Sequence, residues 1–483
     1  MTRALREECG VVGVIGDDDA AKLICLSLHA LQHRGQEGCG IVTLAPAENG
    51  GAEAEKFRMH KSFKLVSEAF PEDILSKLRG AVGIGHVRYS TQGGKLIQNI
   101  QPFHFRTGIG QFAIAHNGNL TNAQIVREEL EASGSIFQST SDTEIFVHLL
   151  ARAPGQDITQ RVLDVLKSVS GAYSMVLMAK DRLFAIRDPY GFRPLVLGKR
   201  GQATIVASET CALDLVDADF IREVEAGEVV EITPEGMTSH FPLPKRQTAF
   251  CSFEPIYFAR PDSTVFGEVV YGLRKRMGAV LAEEAPAEGA DVVIAIPDSG
   301  VPMAMGYAEH AKLPLELGLV RNHYVGRTFI EPSQAIRDFG VKLKLNPVIS
   351  ALKGKNVVVV DDSIVRGTTS EKIVRLLKKA GANRIHFRIG SPPITHSCYY
   401  GVDTPRRTQL LAAQQNVQQI RERIGCDTLA YLSPMGLRKA INDAQEESRF
   451  CLACFNGEYP EVIHDTVSPQ PTDNEGPGTT AGL

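Results

Sequence analysis

The feature that most limits how this chain can fold is the stretch 355–377. Four consecutive valines, Val357–Val360, run into Asp361 and Asp362, then into Ser363-Ile364-Val365-Arg366-Gly367-Thr368-Thr369-Ser370. Apolar residues at helical spacing follow, Ile373, Leu376, Leu377 and Ala380, up to Gly381. A continuous apolar run reads as a strand buried on both faces of a parallel sheet, and a helix after a short turn supplies the crossover such a sheet needs. Thr368 and Glu371 are spaced as a capping box, and Gly381 suits the helix stop. Such a turn offers main-chain N–H groups to a phosphate, with Gly367 permitting close approach and Thr368 and Thr369 adding hydroxyls. Two adjacent carboxylates at a strand end can accept from ribose hydroxyls or act through a hydrated Mg²⁺. No Gly-Lys-Ser/Thr follows the glycine, so this is not a nucleoside-triphosphate P-loop.

A bare Asp-Asp turn is usually just solvated, but the whole stretch resembles the signature by which type I phosphoribosyltransferases bind phosphoribosyl pyrophosphate (PRPP). The resemblance implies that Asp361, Asp362, Ser363, Arg366, Gly367, Thr368 and Thr369 hold PRPP. The segment Ile294-Ala295-Ile296-Pro297-Asp298-Ser299-Gly300 is by itself an ordinary strand-to-helix turn. Its family equivalent holds the pyrophosphate, which implies one Mg²⁺ per subunit at Ser299, Asp361 and Asp362. Tyr324-Val325-Gly326-Arg327-Thr328-Phe329-Ile330, leading to Arg337, Lys342 and Lys344, resembles the family's flexible loop. Its closure would keep water from the ribose C1.

The first half carries a different chemistry. Cys9 opens Cys9-Gly10-Val11-Val12-Gly13-Val14, a strand-like run in which a cysteine is ordinarily a small core residue. Four later stretches change that weighting: His33-Arg34-Gly35-Gln36-Glu37, His86-Val87-Arg88-Tyr89-Ser90-Thr91, His116-Asn117-Gly118-Asn119 and Ser141-Asp142-Thr143-Glu144. In this order they resemble the glutaminase domain of the N-terminal-nucleophile amidotransferases. That resemblance implies an α+β fold, an αββα sandwich, with Cys9 as nucleophile forming a thioester with glutamine. A free α-amino group, of pKa about 7.7–8, would take the thiol proton and pass it to departing ammonia. Because Cys9 lies behind Met1–Glu8, residues 1–8 are expected to be a propeptide cut between Glu8 and Cys9. The resemblance further implies an oxyanion hole from the Asn117 side chain and the Gly118 N–H, worth about 3–4 kcal/mol per donor. It gives Arg88 to the α-carboxylate of glutamine and Asp142 to its α-ammonium, although as isolated residues both would read as parts of internal salt bridges.

Nine cysteines in a chain without a secretory signal argue for catalysis, metal binding or core packing rather than disulfides. Cys451-Leu452-Ala453-Cys454 alone could be redox-active, zinc-binding or incidental. Together with Cys251 in Phe250–Ser263 and Cys398 in Ser391–Cys398, it resembles the cluster-bearing, propeptide-carrying branch of the amidophosphoribosyltransferases. This implies a 4Fe–4S cluster on Cys251, Cys398, Cys451 and Cys454, with zinc as the alternative for four thiolates. Cys25, Cys39, Cys211 and Cys426 read as small apolar residues.

A net charge of −4 creates no field toward nucleic acid or anionic lipid, and no apolar run approaches the ~20 residues of a membrane span. The expectation is a cytoplasmic protein without nucleic-acid or membrane partners. Pro242 and Pro244 punctuate the chain. The expected division is a glutamine amidotransferase domain over 9–245, an α/β phosphoribosyltransferase domain with a cluster-binding end over 246–465, and a disordered tail over 466–483. The joint resemblance implies that glutamine and PRPP are substrates, that glutamine-derived ammonia makes 5-phosphoribosylamine in purine synthesis, that purine nucleotides inhibit, and that the chain forms a homotetramer. Ammonia reacts un-ionised, so a sheltered passage is expected, with Tyr257 in its wall. Two rivals share parts of the pattern. An amidotransferase with a sugar-isomerase domain would not need Asp361–Thr369, and a non-catalytic PRPP sensor would not need Cys9, Asn117, Gly118 and Asp142.

Overall fold

The structure is a computed structural model that describes residues 9–45, 56–89, 96–108, 110–155, 157–180, 182–322, 345–443 and 448–464. The expected propeptide, Ser90 and Thr91, the loop stretch with Tyr324–Ile330, Arg337, Lys342 and Lys344, and the tail lie outside the described residues. The chain forms two compact units, one of residues up to Phe250 with Cys398–Asp403 and 459–464, the other of Cys251–Ser397 and Thr404–Glu458.

In the first unit, alternating and continuous apolar strands build two antiparallel sheets. One has seven strands in the order Asp219–Glu223, Val196–Arg200, Ala203–Ala207, Gly10–Ile15, Val82–Arg88, Gly38–Ala45 and Lys56–Ser62. The other has six, in the order Gly236–His240, Val229–Thr233, Leu183–Arg187, Gly171–Met178, Gly110–Leu120 and Phe103–Thr107. Period-two alternation sends Val11, Val42 and Ile84 of the first sheet against Ala113, Ala115, Val176 and Val230 of the second, a closed apolar layer between the sheets. Val12, Val14 and Ile41 point the other way, onto Ile24 and Leu28 of the helix Ala20–Ala30. On the far side, Ile114, Met175 and Leu177 pack beneath the helices Ala123–Ala132, Thr143–Arg152 and Ile158–Val165. Four layers result, helix, sheet, sheet, helix, as the αββα expectation required.

The second unit is built on a four-stranded parallel sheet in the order Val292–Ala295, Asn356–Asp361, Arg384–Ile389 and Thr428–Tyr431. Val357–Val360 are fully buried, as two-faced burial demands. Ile373, Val374 and Leu377 of the helix Thr368–Lys379 seal one face of this sheet. The capping-box expectation fails here. Gly367 is the N-cap, in the left-handed region at φ +74°, and no side chain caps the helix. Glu371 turns outward to Arg375 at 2.6 Å instead. The first main-chain N–H groups of this helix are therefore not taken by a capping side chain.

Candidate active site

The two sheets of the first unit bring the glutaminase motifs to one end. Cys9 immediately precedes the strand Gly10–Ile15, and its thiol donates to the Tyr89 carbonyl at 3.3 Å. Its own carbonyl accepts Arg34 Nε at 3.1 Å. Arg34 and His33 both reach the fully buried Glu209 carboxylate, at 2.5 and 2.8 Å. Cys9 is thus clamped by side chains as well as by the sheet. Arg88 ends the neighbouring strand, buried to 4% exposure. Burial pulls its pKa down, while Cys9, Glu37 and Tyr89 act in the opposite direction. A buried cation beside the Cys9 sulfur is suited to an anionic ligand group.

The other sheet supplies the acceptor side. His86 Nε2 meets the His116 carbonyl at 3.2 Å, a bond from one sheet to the other, two residues from Arg88 and one from Asn117. His116 is held by Thr143 Oγ1 at 3.1 Å, and its main-chain N–H donates to Gln101 Oε1 at 2.7 Å. Desolvation lowers the pKa of both histidines, His86 to about 3, so they serve as neutral hydrogen-bonding groups. Asn117 is 1% exposed, yet its side-chain Nδ2 has no acceptor among the described residues. Buried amide donors are rarely left so, and each case calls for a ligand or a function. Gly118 has φ +147°, and a Cβ there would lie 2.0 Å from the Ala172 carbonyl oxygen, so only glycine fits beside Asn117. Asp142 accepts the Leu120 N–H at 3.0 Å and faces His116 at 3.9 Å, at the start of Thr143–Arg152. Glu144 accepts from Gln138 N, Ser139 N and Ser139 Oγ at 2.6–2.8 Å, which fixes the loop leading to Asp142.

In the second unit, the strand Asn356–Asp361 delivers Asp361 and Asp362 to the turn before Thr368–Lys379.

Burial, with Asp362 beside it, pushes Asp361 well above the usual carboxylate range. Burial also raises Asp362, against hydrogen bonds from Ser299 and Ser363. Ser299 Oγ donates to Asp362 Oδ2, and Ser363 Oγ to Asp362 Oδ1 at 2.5 Å. Ser299 thus comes from the neighbouring strand's turn to the carboxylate pair, and a cation or ribose hydroxyls there would relieve the crowding. Arg366 donates to Gln409 Oε1 at 2.7 Å, and Asp298 pairs with Arg321.

Comparisons with known proteins bear on both units. Residues 86–215 match the family model of a glutamine amidotransferase domain, and residues 279–389 that of a phosphoribosyl transferase domain. The chain is 53% identical over 456 residues to amidophosphoribosyltransferase 1, chloroplastic, of Arabidopsis thaliana, covering 94% of this chain and 79% of that one. It is 47% identical over 471 residues to the amidophosphoribosyltransferase of Bacillus subtilis, covering 97% of each. The chain belongs to the amidophosphoribosyltransferase family. Its structure matches that of the glutamine PRPP amidotransferase from B. subtilis complexed with ADP and GMP, with a TM-score of 0.89 at 46% identity, covering 95% of this chain and 99% of that one. As a member of the amidophosphoribosyltransferases, it is a glutamine-dependent phosphoribosyltransferase.

The remaining cysteines divide by their surroundings. Cys39, Cys211 and Cys426 are buried in apolar clusters, and burial pushes Cys39 up to about 12 and Cys25 and Cys426 up to about 11. These are packing residues, as expected. Within the second unit, Ser252 Oγ donates to the Cys451 carbonyl at 2.8 Å, and the N–H groups of Thr395 and His396 donate to the Cys454 carbonyl at 2.9 and 3.1 Å. The segments bearing Cys251, Cys451 and Cys454 are therefore laced together by hydrogen bonds, and their soft thiol donors suit iron–sulfur or zinc chemistry. Among the described residues, no three His, Cys, Asp or Glu side chains are grouped so as to hold a metal ion. Nor is any described helix long and apolar enough to cross a membrane. Tyr257 is half-buried in the turn Glu254–Phe258, its ring edge-on to Phe258.

Sequence reasoning gave no role to Glu209, Gln101 or Tyr89. Glu209 lies 175 residues from Arg34 and carries no local motif, so only the folded sheet reveals the pair.

Proposed function

We propose that the glutamine half-reaction runs on Cys9, Asn117, Gly118, Arg88 and Asp142, and the PRPP half-reaction on the turn 361–369. The enzyme hydrolyses glutamine and transfers ammonia to C1 of PRPP, giving 5-phosphoribosylamine, glutamate and pyrophosphate, the first committed step of purine synthesis. Once residues 1–8 are removed, the Cys9 α-amino group takes the thiol proton, and the sulfur attacks the glutamine amide. The Asn117 amide and the Gly118 N–H receive the developing oxyanion, while Arg88 and Asp142 hold the α-carboxylate and α-ammonium. Ammonia leaves with the returned proton, and water releases glutamate from the thioester. In the second unit, ammonia forms the bond to C1 as the C1–O bond to pyrophosphate breaks. Main-chain N–H groups before Thr368–Lys379 and the hydroxyls of Ser363, Thr368 and Thr369 bind phosphate, with Arg366 beside them. Asp361 and Asp362 orient the ribose, and with Ser299 they would hold one Mg²⁺, which supplies charge for the leaving pyrophosphate.

The observation that carries this reading is the buried Asn117 amide without an acceptor among the described residues, beside a glycine that nothing larger can replace. A 4Fe–4S cluster on Cys251, Cys398, Cys451 and Cys454 is the structural group proposed for the cluster-bearing branch, and visible absorption that zinc lacks would identify it. Purine-nucleotide inhibition, a homotetramer and a cytoplasmic location complete the reading; the relative complexed with ADP and GMP supports the first. Incubation with glutamine and PRPP tests it: glutamate and pyrophosphate should form in equal amounts, and mature chains should begin at Cys9. Glutamine consumption by chains retaining residues 1–8 would overturn the nucleophile assignment.

A further inference from the structure

The oxyanion-hole strand of the first unit is gripped by a segment from far along the chain. Asn119 Nδ2 donates to the Tyr399 carbonyl at 2.9 Å. Arg193, fully buried, donates to the Tyr400 carbonyl through Nε at 3.1 Å and Nη2 at 2.7 Å. The Tyr400 ring stacks on Phe192 at 4.2 Å between centroids. Its hydroxyl donates to the Glu461 carbonyl at 2.8 Å and accepts the Glu461 N–H at 3.1 Å. The Tyr400 N–H donates to Cys398 Sγ at 3.3 Å, which closes the turn. Gly401 has φ +103°, and a Cβ there would lie 3.0 Å from Gly118 C and 3.2 Å from Arg193 Nη2. The main chain at Gly401 therefore lies directly against Gly118.

We propose that Tyr399-Tyr400-Gly401 is a positioning segment of the glutaminase site, setting the orientation of the Gly118 peptide and of the Asn117 amide next to it. This rests on the assignment of Asn117 and Gly118 to the oxyanion hole. All three act as positioning residues rather than catalytic ones. Their effect passes through the Gly118 backbone, and small displacements of donors around a transition state cost much of their benefit. A loosened segment should lower turnover while leaving the Arg88 and Asp142 contacts that set glutamine binding.

Gly401→Ala in the full-length enzyme tests this. Glutamine-dependent kcat should fall about tenfold or more, with KM for glutamine within about twofold and the ammonia-dependent reaction with PRPP unchanged. Tyr400→Phe, which keeps the ring stack and removes only the clasp on Glu461, should lower the same kcat by about threefold. Equal loss of both reactions in Tyr400→Phe, a rise in KM alone, or no change in kcat in that variant would overturn the proposal. Asn117→Ala separates it from the underlying reading: normal glutaminase turnover there sinks the oxyanion assignment itself, whereas a loss there with an unaffected Tyr400→Phe sinks only the positioning role.

Discussion

At the scale of single residues, the account turns on polar groups whose burial leaves them something to do. Asn117 Nδ2 is the plainest, a buried donor without an acceptor among the described residues. Asn117→Ala should lower glutamine-dependent kcat by about 10²–10³, with the ammonia-dependent rate intact, as parallel steady-state assays would show. Asp361 gives a prediction with a definite sign. Its carboxyl is pushed upward by burial and by Asp362, so the folded state holds the proton more tightly than the unfolded chain. The associated stability is complete below the unfolded carboxylate pKa and is lost as pH rises toward the folded one. Asp361→Asn should therefore raise the Tm of the ligand-free enzyme by more at about pH 8 than at about pH 5, while PRPP amination is lost. A pH-independent shift in thermal unfolding would contradict this.

At the scale of elements, the turn before Thr368–Lys379 combines backbone shape with function. Gly367 is in the left-handed region, and a Cβ there would lie 2.5 Å from Leu411 Cδ2. Gly367→Ala should cost about 1–3 kcal/mol in denaturant unfolding and raise KM for PRPP. The valine strand, the paired carboxylates and the helix after them were legible in the sequence, because two-faced burial leaves a continuous apolar run. The cap was not, since Thr368 and Glu371 carry the spacing of a capping box while the glycine before them sets the turn. The sandwich showed itself through motif order rather than strand pattern, and sheet pairing such as Gly10–Ile15 between Val82–Arg88 and Ala203–Ala207 joins strands too distant for local signals. Glu209 and the Tyr399–Gly401 segment were invisible for the same reason: their partners lie 175 to 280 residues away.

At the scale of the whole molecule, one chain carries two chemistries on two independently cored units. The glutamine reaction needs a thiol nucleophile; the PRPP reaction needs only ammonia and a positioned leaving group. The measurement that tests this most directly is the pair of rates for Cys9→Ala with PRPP, one with glutamine and one with ammonium salt. Phosphoribosylamine formation from ammonium salt at the parent rate, with none from glutamine, is the predicted result. Undiminished formation from glutamine, or loss of both reactions in a folded variant, would contradict it.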